Sequence, residues 1–364
     1  MGVAPVTVYD DDPEKWAGQF CGVPARGPPG LPPAPPALHK RDRSRRREPA
    51  MTFHARLAVA GLMLAALGAA CSPEPEQATT TATARPAIAA SPDVHPFRVG
   101  ALEAAALRDG ALNLPANDAE ANPWPPAQTA QLLSAAGAPD GTVHLSIQPL
   151  LVRDGARVVL IDAGAGGQMG TENRLIGSLR AAGVEPAQIT DVLISHAHGD
   201  HVGGLVTADG SLTFPNAVIR MSEPEWAAAR AGAEAAGAGA LLATITPRVQ
   251  AFAPGASLTP SITAVPLPGH TPGHSGYEIV SGDDRLLYIG DALHSSIVSV
   301  QRPELANAWD IDGALAIRTR EGLLERGARE GVRLYGVHFP FPGVGRFERR
   351  EEGFVWVPEA PARP

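Results

Sequence analysis

Cysteine is almost absent: the 364 residues hold two, Cys21 and Cys71, both near the start of the chain. Everything downstream therefore has neither a disulfide framework nor a thiolate metal site, and any ion bound there must rest on histidine and carboxylate. Positive charge is also short. Thirty Lys and Arg against 38 Asp and Glu give a formal charge of −8, and the one dense basic run, residues 40–47, lies outside the part that reads as folded. Such a chain has no general attraction for phosphate backbones or anionic lipid, which argues against nucleic acid as a partner. No apolar run reaches the roughly 20 residues that cross a bilayer as a helix. No internal repeat stands out. What the chain does have is enough apolar residue, 44%, to bury a full core in one domain of about 250 residues plus extensions.

The first quarter reads as address and tether. Residues 27–49 are rich in Pro and Arg and lack any hydrophobic period, so they cannot offset their ordering entropy by burial; residues 1–50 are expected to be disordered. At Met51 a new pattern starts: His54 and Arg56, an apolar run over 57–70, then Cys71 and Ser72. The run is too short to span but matches the apolar centre of a secretory signal. Gly68, Ala69 and Ala70 before Cys71 resemble a bacterial lipoprotein signal, in which the cysteine is lipidated and becomes the mature N-terminus. Leu67 sits one place earlier than the usual leucine, so an ordinary signal or an uncleaved anchor stays open. The reading is a signal over 51–71, a flexible Ala/Thr/Pro/Glu spacer over 72–92 and a folded domain over 93–358. The expected location is exported, periplasmic or held to a membrane through lipidated Cys71, with no other membrane contact.

From about Val94 the pattern is that of an α/β domain. Residues 157–162 form an apolar strand ending in Asp162, and 191–195 a second. Further strands are expected over 217–221, 262–267 and 333–337, helices over 173–183, 224–236 and 311–329, and a hairpin joins 277–280 to 285–289 through Gly282, Asp283 and Asp284.

Chemistry concentrates where the strand over 191–195 ends. There the chain reads His196, Ala197, His198, Gly199, Asp200, His201, four metal-ligand types in six residues, separated only by small ones. In an extended segment His196 and His198 project to one side, while Asp200 and His201 fall where the chain turns, so one loop can serve two neighbouring ions. Other polar groups stand at apolar strand ends: His270 within Gly269 to His274, Asp291 after Ile289 and Gly290, and His338 after Gly336 and Val337. Imidazole and carboxylate without thiolate suit Zn²⁺, with Mn, Fe or Co as substitutes.

The His-Ala-His-Gly-Asp-His run resembles the His-x-His-x-Asp-His signature of the metallo-β-lactamase superfamily, and the later landmarks follow in the family's order over about residues 140–345. The resemblance implies a four-layer αββα sandwich, two mixed β-sheets flanked by helices. It implies two Zn²⁺ ions: His196, His198 and His270 on one, Asp200, His201 and His338 on the other, Asp291 bridging both. A hydroxide bridging the metals would be the nucleophile. Asp200, Asp291 and His294 are the catalytic candidates. His274 is expected to support a ligand rather than be one, and Asp162 to orient one. His95 and His144 have no motif around them and read as ordinary core or surface histidines.

The aspartate at 291 sets true β-lactamases aside and fits thioesterases, acyl-homoserine lactonases, nucleases and phosphotriesterases. The sequence from His338 to Gly345 is similar to the last-ligand motif of the methyl parathion hydrolase-like branch, and His294 agrees with it; dedicated lactonases tend to have a tyrosine there. The resemblance thus implies a hydrolase of a small-molecule ester, lactone or phosphotriester. A glyoxalase II-like thioesterase, a mononuclear-iron persulfide dioxygenase and an exported metal-binding lipoprotein without turnover remain open. Pocket walls are expected from the segment before Gly141, from 207–214 and from 295–310, with Trp124, Trp309, Phe339 and Phe341 as apolar lining candidates. Families of this kind often form homodimers, though no interface is legible. Because a signal fifty residues into the chain is anomalous, Met51 is the expected biological start: N-terminal sequencing should return Met51 for the precursor and Cys71 for the mature protein, and a precursor beginning at Met1 overturns this.

Overall fold

The computed structural model describes residues 86–359 except 139, 170 and 234–236. The expectations for residues 1–50, for the signal and for the start of the spacer lie outside the described residues. The spacer's last residues are packed rather than free: Ile88 is buried in the core and Pro86 accepts a hydrogen bond of 2.6 Å from Arg153 through its carbonyl. Packing therefore begins before the expected boundary at 93, because one apolar side chain in that Ala/Pro stretch finds a hydrophobic partner surface.

Strands β1 (Val94–Val99) and β2 (Leu102–Leu107) make an antiparallel hairpin. β3 (Gly110–Pro115) pairs with β4 (Thr142–Ile147) as a separate ribbon, with helix α1 (Pro126–Ala135) between them in sequence. β5 (Leu150–Asp154) returns to pair with β2 and turns into β6 (Arg157–Ile161). β7 (Asp191–Leu193), β8 (Val218–Ser222) and β9 (Val249–Phe252) each add in parallel. Parallel neighbours need crossovers, which carry α2 (Leu175–Ala181), α3 (Gly199–Val202), α4 (Glu223–Gly232) and α5 (Gly239–Ile245). The sheet runs β1-β2-β5-β6-β7-β8-β9.

The second sheet holds β10 (Ile262–Pro266), β11 (Ser275–Ser281), β12 (Asp284–Tyr288), β13 (Arg333–Tyr335), β14 (Val344–Arg350) and β15 (Gly353–Pro358) in that order, antiparallel except for β12 and β13. α6 (Val298–Gln301) and α7 (Gly313–Glu330) lie between the parallel pair in sequence. α7 starts where Asp312 caps the Leu315 amide and stops at Gly331 in the left-handed conformation; Ala316, Arg320, Leu323, Leu324 and Gly327 form its buried stripe.

Three buried clusters define the layers. One joins Leu160, Val192 and Ile219 of the first sheet to Leu175 and Leu179 of α2 and Leu242 and Ile245 of α5. A second lies between the sheets, Val152, Val159 and Leu193 against Ile262, Tyr277 and Tyr288. A third packs Leu287 and Leu334 under Leu323 and Leu324 of α7. The order helix, sheet, sheet, helix is the αββα sandwich with two mixed sheets. Each buried aliphatic side chain stabilises it by about 1.5–3 kcal/mol.

The expected strands and the hairpin appear with boundaries shifted by a residue or more. The 224–236 pattern predicts one helix, but α4 ends at Gly232 and a separate α5 follows at Gly239: an Ala-rich run carries no stop signal of its own, whereas packing against the sheet needs the chain to turn. Tight backbone packing is explicit at Gly269. It sits at φ +128°, and a Cβ there would fall on the backbone of Ala316 at the start of α7. Gly269→Ala is expected to destabilise by at least about 1–3 kcal/mol from backbone strain alone, lowering the melting temperature by about 2–4 °C per kcal/mol; an unchanged melting curve would refute the close approach.

Candidate metal centre

Four loops leave the same edge of the sandwich. The chain after β7 carries His196, His198, Asp200 and His201; after β10 comes His270; Asp291 lies in the 3-10 turn Gly290–Ala292 that follows β12; His338 follows β13. All seven side chains converge. His196, His198, His270 and Asp291 form one group of mutually close donor atoms, and Asp200, His201 and His338 a second. His198 Nδ1 stands 2.9 Å from both His196 Nε2 and His270 Nε2. Asp291 faces both groups: Oδ2 is 3.6 Å from His196 Nε2 and 3.4 Å from His270 Nε2, while Oδ1 is 3.2 Å from His201 Nε2 and 3.1 Å from His338 Nε2.

In His201, His270, His338 and His196 the other ring nitrogen is tied down. His201 Nδ1 donates to Asp162 Oδ2 at 2.7 Å, and that carboxylate also accepts from Ser195 and Tyr288. His270 Nδ1 donates to Asp310 Oδ1 at 3.0 Å, and His338 Nδ1 to the Ser146 carbonyl at 2.7 Å. His196 Nδ1 lies 3.1 Å from Ser195 Oγ. Fixing one nitrogen sets the tautomer and turns the other toward the centre. His274 is used differently. Its Nε2 accepts from the Asp291 amide at 2.9 Å while Nδ1 donates to the Leu267 carbonyl. A Cβ on Gly290 would lie 2.6 Å from that Nε2, so only glycine, here at φ +49°, lets the loop reach its support.

The centre fits divalent metal ions. His201 Nε2 and Asp291 Oδ1 are buried, 3.2 Å apart, and yet neither has a partner in hydrogen-bond geometry. Buried polar atoms are otherwise almost always paired. Atoms this close that do not point at one another point at a common third position.

The family model of the metallo-beta-lactamase superfamily matches residues 145–338, from within β4 to the last histidine of the centre. The chain belongs to the metallo-beta-lactamase superfamily. It is similar to an uncharacterized protein of Bacillus subtilis (strain 168), YobT, with 28% identity over 160 residues; the matched part is 40% of this chain and spans about 65% of the relative's length. Among solved structures, AidC, described as a dizinc quorum-quenching lactonase in complex with a homoserine product, matches with a TM-score of 0.67 and 28% identity over 73% of this chain and 97% of its own. The hydrolase AbOPH matches with a TM-score of 0.67 and 28% identity over 75% and 99%. A probable metal-dependent hydrolase from Staphylococcus aureus, 18% identical with a TM-score of 0.60, shares the fold. The chain is thus a member of a metal-dependent hydrolase superfamily and carries a candidate metal site.

Two side chains that the sequence did not single out hold the superfamily's histidine loops together. Glu225 is buried and accepts from the Ala197 amide at 2.9 Å, from the Thr271 hydroxyl at 2.6 Å and from the Gly273 amide at 3.0 Å, clamping the His196–His198 segment to the His270 loop. In sequence it reads as an N-terminal helix acid behind the Ser222 cap, and nothing marks it as buried. Asp310 likewise follows no motif. Of the aromatic candidates, Trp309 and Trp124 flank His294, with ring centres 5.4 and 6.2 Å away. Phe339 does not line the site: it is buried against Phe347 and Trp356 under α7. Phe341 lies beneath Arg108 and beside His95. His144 is exposed and bonded to Asn113 and Asp140. Of the expected walls, 295–310 supplies Asn307, bonded to His294, and Asp310, whereas residues 207–211 are exposed and only Phe214 at the end of that segment enters the core.

Charge is divided unevenly. Burial pushes His198 down to about 3 and His270 to about 4, the Asp310 hydrogen bond opposing the latter, and holds His196 well below its usual range. Burial also acts against His201 and His338, but Asp291 and Asp200 outweigh it and raise both. The same attraction to His201 and His338 carries Asp291 and Asp200 below the carboxylate range despite burial. Raised histidines stabilise the metal-free fold fully below about pH 6.5 and lose that contribution as pH rises through their folded values, whereas a metal replaces those protons. The rise in melting temperature on adding Zn²⁺ to chelator-stripped protein should therefore be larger at about pH 9 than at about pH 6. Equal rises at both would show that no proton leaves the site.

Proposed function

We propose that this chain is a two-metal hydrolase of a neutral small-molecule lactone or carboxyl ester, with phosphotriesters accommodated by the same tetrahedral geometry. The observation that carries the reading is the placement of Asp291, one carboxylate oxygen toward His196 and His270 and the other toward His201 and His338. His196, His198 and His270 would hold one ion, Asp200, His201 and His338 the other, and Asp291 would join them, with two Zn²⁺ the expected pair and Mn, Fe or Co as substitutes. When bound, such a pair polarises the scissile carbonyl or phosphoryl oxygen and lowers the pKa of a shared water from 15.7 toward 7.

The chain's own residues supply the rest. Asp291 Oδ2 is the acceptor for the proton of the attacking water, and His294 Nε2, 3.1 Å away, is placed to pass a proton to the leaving oxygen. Asn307 and the flanking Trp124 and Trp309 hold the His294 ring, the tryptophans also excluding bulk water. On the opposite side, beside His198, a cleft of about 90 Å³ is lined by Val202, Ala229, Leu241, Leu242 and Pro272 with exposed Ile311 at its rim, suited to the apolar part of a substrate. Similarity to AidC, a lactonase by its description, supports the lactone preference. Export through the 51–71 segment and a homodimer belong to the proposal on sequence grounds; no described helix is long and apolar enough to cross a membrane.

Elemental analysis of the purified protein should give about two metals per chain, and a panel of lactone, aryl ester, thioester and phosphotriester should show turnover on at least one neutral ester or lactone. His198→Ala and Asp291→Ala should abolish it, and His294→Gln should lower kcat by about 10²–10⁴-fold with little change in KM. One metal or none, with no member of the panel hydrolysed, would overturn the proposal. Hydrolysis confined to the thioester would replace the lactone preference.

A further inference from the structure

Behind the centre lies an ion pair that no motif announces. Asp310, whose side chain is fully buried, accepts from His270 Nδ1 through Oδ1 and from Arg320 Nη2 through Oδ2 at 2.9 Å. Arg320, on α7, is 1% exposed. A buried guanidinium is tolerated only where nearly all its donors are used. Here Nε donates to the Ala292 carbonyl at 3.1 Å and Nη1 to the Pro303 carbonyl at 2.9 Å. Ala292 directly follows Asp291. The segment that carries Asp310 is meanwhile pinned to the His270 loop by main-chain bonds, Ile311 N to His270 O at 3.0 Å and Asp312 N to Gly269 O at 2.9 Å.

We propose that Arg320 is a positioning residue: one guanidinium holds both the carboxylate that orients His270 and the turn that presents Asp291, and so sets the geometry of the metal position formed by His196, His198 and His270. Arg320 and Asp310 support one half of the centre and not the other, although the two halves share Ser195, whose Oγ also lies 3.1 Å from His196 Nδ1. His201 rests on Asp162, Ser195 and Tyr288, and His338 on the Ser146 carbonyl, none of which Arg320 touches. Asp291 is shared, but its amide is also held by His274, so loosening Arg320 leaves its Oδ1 side anchored. Loss of Arg320 or Asp310 therefore acts on one metal position, where a structural salt bridge would act on the whole fold. This inference rests on the two-metal reading above.

The test is Zn²⁺ titration of the chelator-stripped full chain against a competing chromophoric chelator, for the native protein, Asp310→Asn and Arg320→Lys, alongside Co²⁺ absorption spectra and melting curves without metal. The native chain should bind two equivalents. Each variant should keep one at native affinity, bind the other about 10–100-fold more weakly, and change the Co²⁺ spectrum of that position alone. Asp310→Asn, which keeps the size and shape of the side chain, carries the test alone if Arg320→Lys does not fold. Native affinity for both equivalents in the variants would overturn the proposal. So would parallel loss of both metals with a lowered metal-free melting temperature, which is the mark of a purely structural pair. A native chain that binds fewer than two equivalents would instead remove the two-metal reading itself.

Discussion

Three carboxylates, Asp162, Asp200 and Asp291, are buried among imidazoles at one edge of the sandwich, and the rest of the molecule is arranged around keeping that charge balanced. An isolated buried carboxylate is too costly to persist ionised. Here Asp162 is met by four donors, and Asp200 and Asp291 by the raised histidines His201 and His338. Metal ions answer the same requirement with more positive charge and no protons. The fold serves this by ending strands of both sheets at one edge, so that four connections separated by up to 142 positions in sequence, His196 to His338, meet there.

The supports differ in kind. Around His201 they are local to the sheets: Asp162 follows β6, Ser195 follows β7 and Tyr288 ends β12, all buried. Around His198 and His270 they come from outside the sheets, Glu225 from α4 and Asp310 from the segment before α7, while His196 shares Ser195 with His201. His201 is thus held by strand ends, whereas His198 and His270 depend also on how α4 and the segment before α7 seat on the sheets. Substrate approaches on the second side, where His198 meets the apolar cleft between α4 and α5 in the proposed reading.

This division explains what the sequence made legible. The six-residue run from His196 to His201 could be read because its ligand types are adjacent, and His270, Asp291 and His338 because each follows an apolar strand. Asp162 was legible for the same reason. Glu225, Asp310 and Arg320 were not, since a charged residue in a helix or loop reads as solvated until its burial is known. The two strand ends that matter most, after β7 and β12, are strongly apolar runs with clear ends. β1 to β5 went unread: the Ala-rich run Leu102–Leu107 of β2 shows no alternation, whereas Thr142–Ile147 of β4 does alternate and was missed all the same. Phe339, next to His338, was expected to line the pocket, but both lie in the turn after β13, closed by Phe339 N to Gly336 O, and the side chain beside the ligand went under α7.

His294 illustrates how far geometry advances such a reading. In sequence it is one histidine three places after Asp291, with a packing role as plausible as a chemical one. In the fold it is buried, stacked parallel to His338 with ring centres 5.8 Å apart, held at Nδ1 by Asn307 and left at Nε2 without a hydrogen bond beside Asp291. A histidine kept only for packing has no reason to leave a buried nitrogen unpaired, which costs more than the contact returns. An unpaired nitrogen facing the centre is instead what a group needs if its partner is the substrate, present only while the reaction proceeds.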